Sequence, residues 1–182
     1  MVRSPEMVAL DIRSMIACNN VAKDRMHKLI NKYGNEAFDQ ACSTLIDQSE
    51  NLLRERLREL PNGRWQSRQY MSVKEDVYWV MLTMTKQEDE LVFDFTGSSD
   101  QAKYAINCTK WASLGGLFAP LFPLLCYDIP WNEGIIKPVK MIAQEGTIVN
   151  CIRPAPVSVA TVGAIQSVNN AACATIGKML EA

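Results

Sequence analysis

The chain has 182 residues, 48% of them hydrophobic, 21% charged and 8% aromatic. That is the balance of an ordinary soluble globular protein and not of a disordered, collagen-like or low-complexity chain. Nineteen Lys and Arg against twenty Asp and Glu leave a net charge of −1, which excludes a global pull toward nucleic acid or an anionic membrane.

The N-terminus, Met-Val-Arg-Ser-Pro-Glu, carries no apolar run behind Arg3 and does not read as a secretory signal. Ser4 and Pro5 supply an N-cap and a first-turn proline, after which Val8, Ile12, Met15, Ile16, Met26, Leu29, Ile30 and Tyr33 recur at helical spacing as far as Gly34. A second helix starts near Asn35, presents Phe38, Cys42, Leu45, Ile46, Leu53, Leu57 and Leu60 on one side, and ends at Pro61-Asn62-Gly63. The two are expected to pair as an antiparallel helical hairpin over residues 1–63. On its polar face Glu50 precedes Arg54 by one helical turn, a weak surface pair. Arg54, Arg56 and Arg58 fall on different faces beside Glu55 and Glu59 and make a poor phosphate stripe.

Past Gly63 the period changes to two: Val77, Trp79 and Met81 alternate with Tyr78, Val80, Leu82 and Met84, so a strand with both faces covered is expected. The polar run Lys86–Glu90 connects it to a second strand, Leu91–Phe95, in a hairpin. Charge thins beyond this point, from 13 basic and 14 acidic residues in 1–90 to 6 of each in 91–182, and the second part reads as interior or interface. A third helix is expected within 109–126. The uncharged run Trp111–Tyr127 is broken by Gly115-Gly116, Pro120 and Pro123 and falls short of the roughly 20 residues of a bilayer span. Short strands near 136–143 and 147–152 flank a turn at Glu145-Gly146, and a last helix over about 161–180 closes the chain. The expected fold class is α+β: an N-terminal helical hairpin (1–63) followed by a mixed β-sheet region with further helices (64–182), the two packed as one domain of a larger protein.

Six cysteines without a CxxC pair are too sparse for a disulfide scaffold and wrongly spaced for zinc, so they read as reduced, mostly buried thiols of a cytoplasmic protein. His27 is the only histidine, which excludes any mechanism needing two imidazoles from this chain, and it reads as structural. Neither a phosphate loop nor a GxGxxG fingerprint is present. The most site-like segment is Asp94-Phe95-Thr96-Gly97-Ser98-Ser99-Asp100-Gln101, where a strand end offers backbone N–H groups, hydroxyls and carboxylates together. Its alternative reading is a capped turn in which Thr96, Ser98 and Asp100 satisfy local backbone groups. Asp128-Ile129-Pro130-Trp131-Asn132-Glu133-Gly134 is a second dense turn, fit to fix a chain reversal. Pro154-Ala155-Pro156-Val157 favours an extended entry into the last helix. No metal site is assigned.

The order of these phrases is itself informative. Val2-Arg3-Ser4-Pro5, Asp11-Ile12, Lys32-Tyr33-Gly34, Ser49-Glu50, Leu60-Pro61-Asn62-Gly63, Asp94-Phe95-Thr96-Gly97, Ile106-Asn107, Asp128 to Gly134, Lys137-Pro138-Val139, Glu145-Gly146-Thr147 and Pro154 to Val157 run collinearly over nearly the whole chain. In this the sequence resembles the hydantoinase B/oxoprolinase family. The resemblance implies ATP-dependent opening of cyclic amides such as hydantoins or 5-oxoproline, or the related carboxylation of ketones. It implies a hydantoinase A-type partner of the actin-like ATPase class that handles the nucleotide, an oligomeric assembly, and ATP and a divalent metal for the complete assembly, none of them held by this chain. The family's upstream half, with its Asn-Asp-Pro-Tyr and histidine-containing metal-site motifs, is not among these residues. The chain is therefore expected to be an excised region, a split subunit or a degenerate relative, inactive alone. Asp94, Thr96, Gly97, Asn107 and Asn132 match the family phrases and combine polar function with turn context, as substrate-side or structural residues. The competing expectation is a non-enzymatic subunit that buries its apolar C-terminal half against a partner.

Overall fold

Two helices open the fold, α1 (Pro5–Tyr33) and α2 (Asn35–Glu59). They are followed by strands β1 (Gly63–Val73), β2 (Asp76–Gln87) and β3 (Glu90–Asp94), helix α3 (Lys110–Leu125), strand β4 (Val139–Ile142) and helix α4 (Ala164–Leu180), with 3-10 turns at Glu133–Ile136 and Ala160–Val162. This computed structural model describes residues 3–182, so Val2 of the first motif phrase lies outside the described residues. The architecture is the expected α+β arrangement of two N-terminal helices followed by a mixed sheet and further helices. Among the described residues no helix is long and apolar enough to cross a membrane.

The chain divides into two compact units, Met1–Leu45 and Ile46–Ala182, with α2 running through the boundary. In the first unit Pro5 occupies the first turn of α1, where its missing N–H leaves no bond unmade. Gly34, at φ +87°, ends the helix by donating its N–H to Ile30 O at 2.7 Å, a backbone angle that residues with a Cβ rarely adopt. The periodicity read from the sequence is real, yet α1 has no buried residue. Met15, Leu29 and Tyr33 are 67%, 47% and 59% exposed.

The second unit holds the core. Leu53 and Leu57 of α2, Val80, Leu82 and Met84 of β2, and Leu91 and Phe93 of β3 are completely buried, as are Leu117, Leu121 and Leu125 of α3 and Val168 and Ile176 of α4. Each such side chain contributes about 1.5–3 kcal/mol. The sheet order is β1-β2-β3-β4, with β1, β2 and β3 antiparallel and β4 parallel to β3. Helix α4 packs on α3 and across β1 and β2. The close approach of α3 and α4 uses Gly116, where a Cβ would stand 3.0 Å from Ile165 Cγ2 and 3.1 Å from Ile165 O.

Several local expectations are corrected. β1 is a strand of eleven residues that the alternation did not reveal, because its inward positions mix Trp65 and Met71 with Ser67 and Gln69. On β2 only one face is fully covered: Val80, Leu82 and Met84 are buried, but Val77 on the other face is 55% exposed and Trp79 and Met81 are half-buried. Residues 147–152 are not a strand. Thr147 makes isolated bridges to Asp100 and Asn150, and Asn150 N–H returns to Thr147 O, so the segment turns on itself while burying Ile148 and Val149. Finally, the thiols are not mostly buried: Cys108 and Cys126 are buried and Cys151 is intermediate, whereas Cys18, Cys42 and Cys173 are exposed.

Candidate functional site

β3 ends at Asp94, whose carboxylate Oδ1 accepts the Thr96 N–H at 2.9 Å and so starts a turn. Gly97 completes it at φ +90°, and its carbonyl accepts the indole N–H of Trp79 at 2.8 Å. Beyond the turn two serines take over the ladder that β3 has left. Ser98 Oγ accepts Met81 N–H at 3.0 Å and donates to Phe95 O at 2.8 Å, while Ser99 Oγ accepts Trp79 N–H at 2.8 Å. Both serines are buried, whereas Thr96 and Gly97 are exposed and Asp94 is half-buried. The turn is therefore fixed from below by hydroxyl-to-backbone bonds and presents its tip outward. A shallow groove beside it is lined by Val77, Trp79, Ser99 and Gln101.

Asn107 does different work. It is fully buried, its Oδ1 accepts Ala102 N–H at 2.6 Å, and the two hydrogens of Nδ2 are shared among Ala102 O and Tyr104 O at 2.9 Å and Pro156 O at 3.0 Å. The amide thus ties the loop after the Asp94 turn to the Pro154–Val157 phrase. Asn132 is a third, separate place. Its Oδ1 accepts Gly134 N–H at 2.9 Å and its Nδ2 donates to Ser49 Oγ at 2.8 Å, while Ser49 donates to Pro130 O at 2.9 Å. Gly134 lies against the backbone of α2 so closely that a Cβ there would stand 2.0 Å from Ile46 O. Asp94, Thr96 and Gly97 thus share one turn, and the hydrogen bonds of Asn107 and Asn132 lie in two other loops.

Charges gather where the same phrases meet. Lys137 Nζ lies 2.8 Å from Glu50 and 3.2 Å from Asp47, and Arg54 Nε lies 2.9 Å from Glu50. Hydrogen bonds from Lys137, then Arg54, hold the Glu50 carboxyl below its ordinary value. Arg54 and Arg58 both reach Asp89, and Arg56 pairs with Asp128, so the arginines that made a poor phosphate stripe are ion-paired to carboxylates of this chain. On the β1–β2 side, Asp76 accepts hydrogen bonds from Lys103 and Tyr104 that lower its pKa and raise that of the phenol. Burial pushes the Cys108 thiol up to about 11 and that of Cys126 to about 12, which leaves both as inert thiols near neutrality.

Sequence reasoning gave no role to Ser49, Lys137 or Lys86. The first two stand inside quoted phrases, but only the fold shows that those phrases touch. Lys86, taken for part of a polar connection, is 2% exposed and donates to Leu60 O and to Asn62 Oδ1, the latter at 2.9 Å. The signal was its even place in the series Val80, Leu82, Met84. His27 is exposed on α1. Among the described residues no group of three or more His, Cys, Asp or Glu stands together to hold a metal ion.

The chain is similar in sequence and in fold to known proteins. The chain is 30% identical over 167 residues to an uncharacterized protein of Methanocaldococcus jannaschii, an alignment covering 92% of this chain and 30% of that one. Its fold matches the crystal structure of the ATP-dependent caprolactamase from Pseudomonas jessenii with a TM-score of 0.86 at 21% identity, covering 93% of this chain and 30% of that one. It matches nucleotide-free acetone carboxylase with a TM-score of 0.87 at 16% identity, covering 97% and 25%. The chain spans less than a third of the length of these relatives. The family model described as hydantoinase B/oxoprolinase matches residues 1–182, and the chain belongs to that family.

Proposed function

We propose that these residues are a scaffold region of the B-type component of an ATP-dependent enzyme that opens cyclic amides of the hydantoin, 5-oxoproline or lactam kind, or carboxylates ketones. One observation carries the reading: phrases that mark the family, far apart in the chain, meet as interlocked hydrogen bonds, Ser49 with Asn132 and Pro130, and Asn107 with Pro156. A region built this way positions a site. Nucleotide chemistry belongs to an A-type ATPase partner and the divalent metal to further B-type segments, and the chain alone is inactive. Within the region the exposed turn of Asp94, Thr96 and Gly97 takes the substrate-side role, and Asn107 and Asn132 take positioning roles.

The test is reconstitution of the full B-type polypeptide with its ATPase partner, followed by ATP-dependent turnover of hydantoin, 5-oxoproline, caprolactam and acetone. Asp94→Asn keeps the oxygen that accepts the Thr96 N–H. It is expected to leave Tm unchanged and to lower kcat/KM by roughly tenfold to a hundredfold, the worth of one charge-assisted hydrogen bond. Unchanged kcat/KM removes the turn from the substrate side, and absence of ATP-dependent turnover on every substrate refutes the enzymatic reading. A second reading, a structural subunit that buries its apolar C-terminal half, is favoured by the exposure of Trp111 (73%), Tyr127 (71%) and Val162 (78%). It predicts a stoichiometric complex without turnover.

A further inference from the structure

The turn that β3 runs into is built as a type II β-turn. Ser98 N–H returns to Phe95 O at 3.1 Å, and of the two central residues, Thr96 and Gly97, it is Gly97 that stands at positive φ, +90°. Strand β2 holds the base of this turn. Ser98 Oγ accepts Met81 N–H, Ser99 N–H donates to Trp79 O at 3.0 Å, and Trp79 N–H donates to Ser99 Oγ at 2.8 Å. The tip is held from the same strand, because Gly97 O accepts the Trp79 indole N–H at 2.8 Å. One residue thus grips the turn twice, by its backbone at the base and by its ring at the tip.

The ring is itself placed by the sheet. Trp79, Met81 and Thr83 alternate onto one face of β2, and Thr83 is the register partner of Asp94, so Asp94 and Trp79 leave the sheet on the same side. On β1, Tyr70 stands opposite Trp79 and Arg68 opposite Met81, and the Arg68 guanidinium lies over the indole at 5.9 Å. A Cβ on Gly97 would stand 3.8 Å from Met81 Cγ, so the tip rests on this face. A glycine backbone has the widest choice of angles in such a turn, and it keeps one orientation when a group outside the turn holds its carbonyl.

We propose that Trp79 is a positioning residue for the turn: its indole N–H fixes the Gly97 carbonyl and thereby the direction in which the Asp94 carboxylate and the Thr96–Gly97 peptide face a substrate. The proposal rests on the substrate-side reading of that turn. Trp79→Phe separates the two grips, since it keeps the backbone bonds and an aromatic ring and removes the donor to Gly97.

Two sets of measurements test it. In the 182-residue chain the Trp79 indole N–H is expected to exchange with solvent roughly fivefold more slowly than that of Trp111, which is 73% exposed. In Trp79→Phe the amide order parameters of Thr96 and Gly97 are expected to fall from about 0.85 to below about 0.6, with those of Ser98 and Ser99 unchanged. In the enzyme reconstituted with its ATPase partner, Trp79→Phe is expected to lower kcat roughly tenfold with little change in KM. The double variant Trp79→Phe/Asp94→Asn should turn over within about twofold of Asp94→Asn alone, because a turn without its charge gains little from being held. Equal exchange of the two indoles, a tip that stays ordered in Trp79→Phe, or losses that multiply in the double variant overturn the proposal. Unchanged turnover in Trp79→Phe beside a loss in Asp94→Asn overturns it too and leaves the substrate-side reading standing, whereas Asp94→Asn without effect refutes that reading and the proposal with it.

Discussion

Replacing Asn107 by Ala removes every partner that its amide supplies while leaving the surrounding backbone in place. Ala102 loses the acceptor for its N–H and the donor to its carbonyl, both in buried bonds, at about 1–3 kcal/mol for each orphaned group. The carbonyls of Tyr104 and Pro156 sit in part-buried bonds, where water can enter, and each adds about 0.5–1 kcal/mol. The sum is about 3–8 kcal/mol, a large share of the about 5–15 kcal/mol available to a domain. With a urea slope of about 2 kcal/mol/M, the denaturation midpoint followed by far-UV circular dichroism should fall by about 1.5–4 M. Asn107→Asp keeps the acceptor for Ala102 N–H but turns a carboxylate toward three carbonyls, and should be at least as destabilised. A midpoint within about 0.3 M of the parent, at unchanged slope, would refute the argument that this side chain holds two loops together. If such a variant also lost turnover in the complete enzyme, Asn107 would belong on the substrate side.

Gly134→Ala forces a methyl to 2.0 Å from Ile46 O, so the 3-10 turn must back away from α2; a loss of about 3 kcal/mol or more and a fall of about 10 °C in Tm are expected, and a Tm within about 2 °C of the parent would contradict the close packing. The carboxyls of Glu50, Asp76, Asp89 and Asp128 are all held below their ordinary values by hydrogen bonds from Lys137, Lys103, Arg58 and Arg56 respectively. The unfolded chain then binds more protons than the folded one as pH falls, so the stability these pairs supply is fully present above about pH 5 and is lost progressively below about pH 4.5. Urea midpoints from pH 7 to pH 3 should show that decline, and Lys137→Ala should flatten part of it; a flat profile, or a Lys137→Ala profile as steep as the parent's, would contradict the assignment.

The helices were legible in the sequence because the signals that end them are local. Gly34 stops α1, Pro61-Asn62-Gly63 follows α2, and Thr109 caps α3 through its hydroxyl, which accepts Ala112 N–H. The β2–β3 hairpin was legible from alternation on one face. β1 was not, because an edge strand with Ser67 and Gln69 inward carries almost no apolar period, and residues 147–152 were misread because Ile148 and Val149 bury themselves in a turn as readily as in a strand. Periodicity also says nothing about what a face meets. It marked a stripe on α1 and could not tell that no side chain of α1 becomes buried. The five candidate positions were recognisable as four polar residues and a glycine in turn-rich phrases. What separated the outward-facing Asp94 turn from the backbone ties of Asn107 and Asn132 was long-range pairing, such as Asn132 with Ser49 across 83 residues, and one sequence does not display it.

The reach of those ties has a consequence for the order in which the polypeptide can fold as it is made. Arg56 waits for Asp128, Asn107 for Pro156, and the sheet for α4, whose Lys178 donates to Gln66 O across 112 residues. No fragment that stops short of α4 can complete the cover of β1 and β2, because α4, which packs across both, follows them by some eighty residues. Contacts of such separation are closed late and at an entropic cost. On the ribosome, therefore, α1 and α2 emerge before the core of the second unit can close, and the apolar stripe of α1 is open to chaperones during that interval.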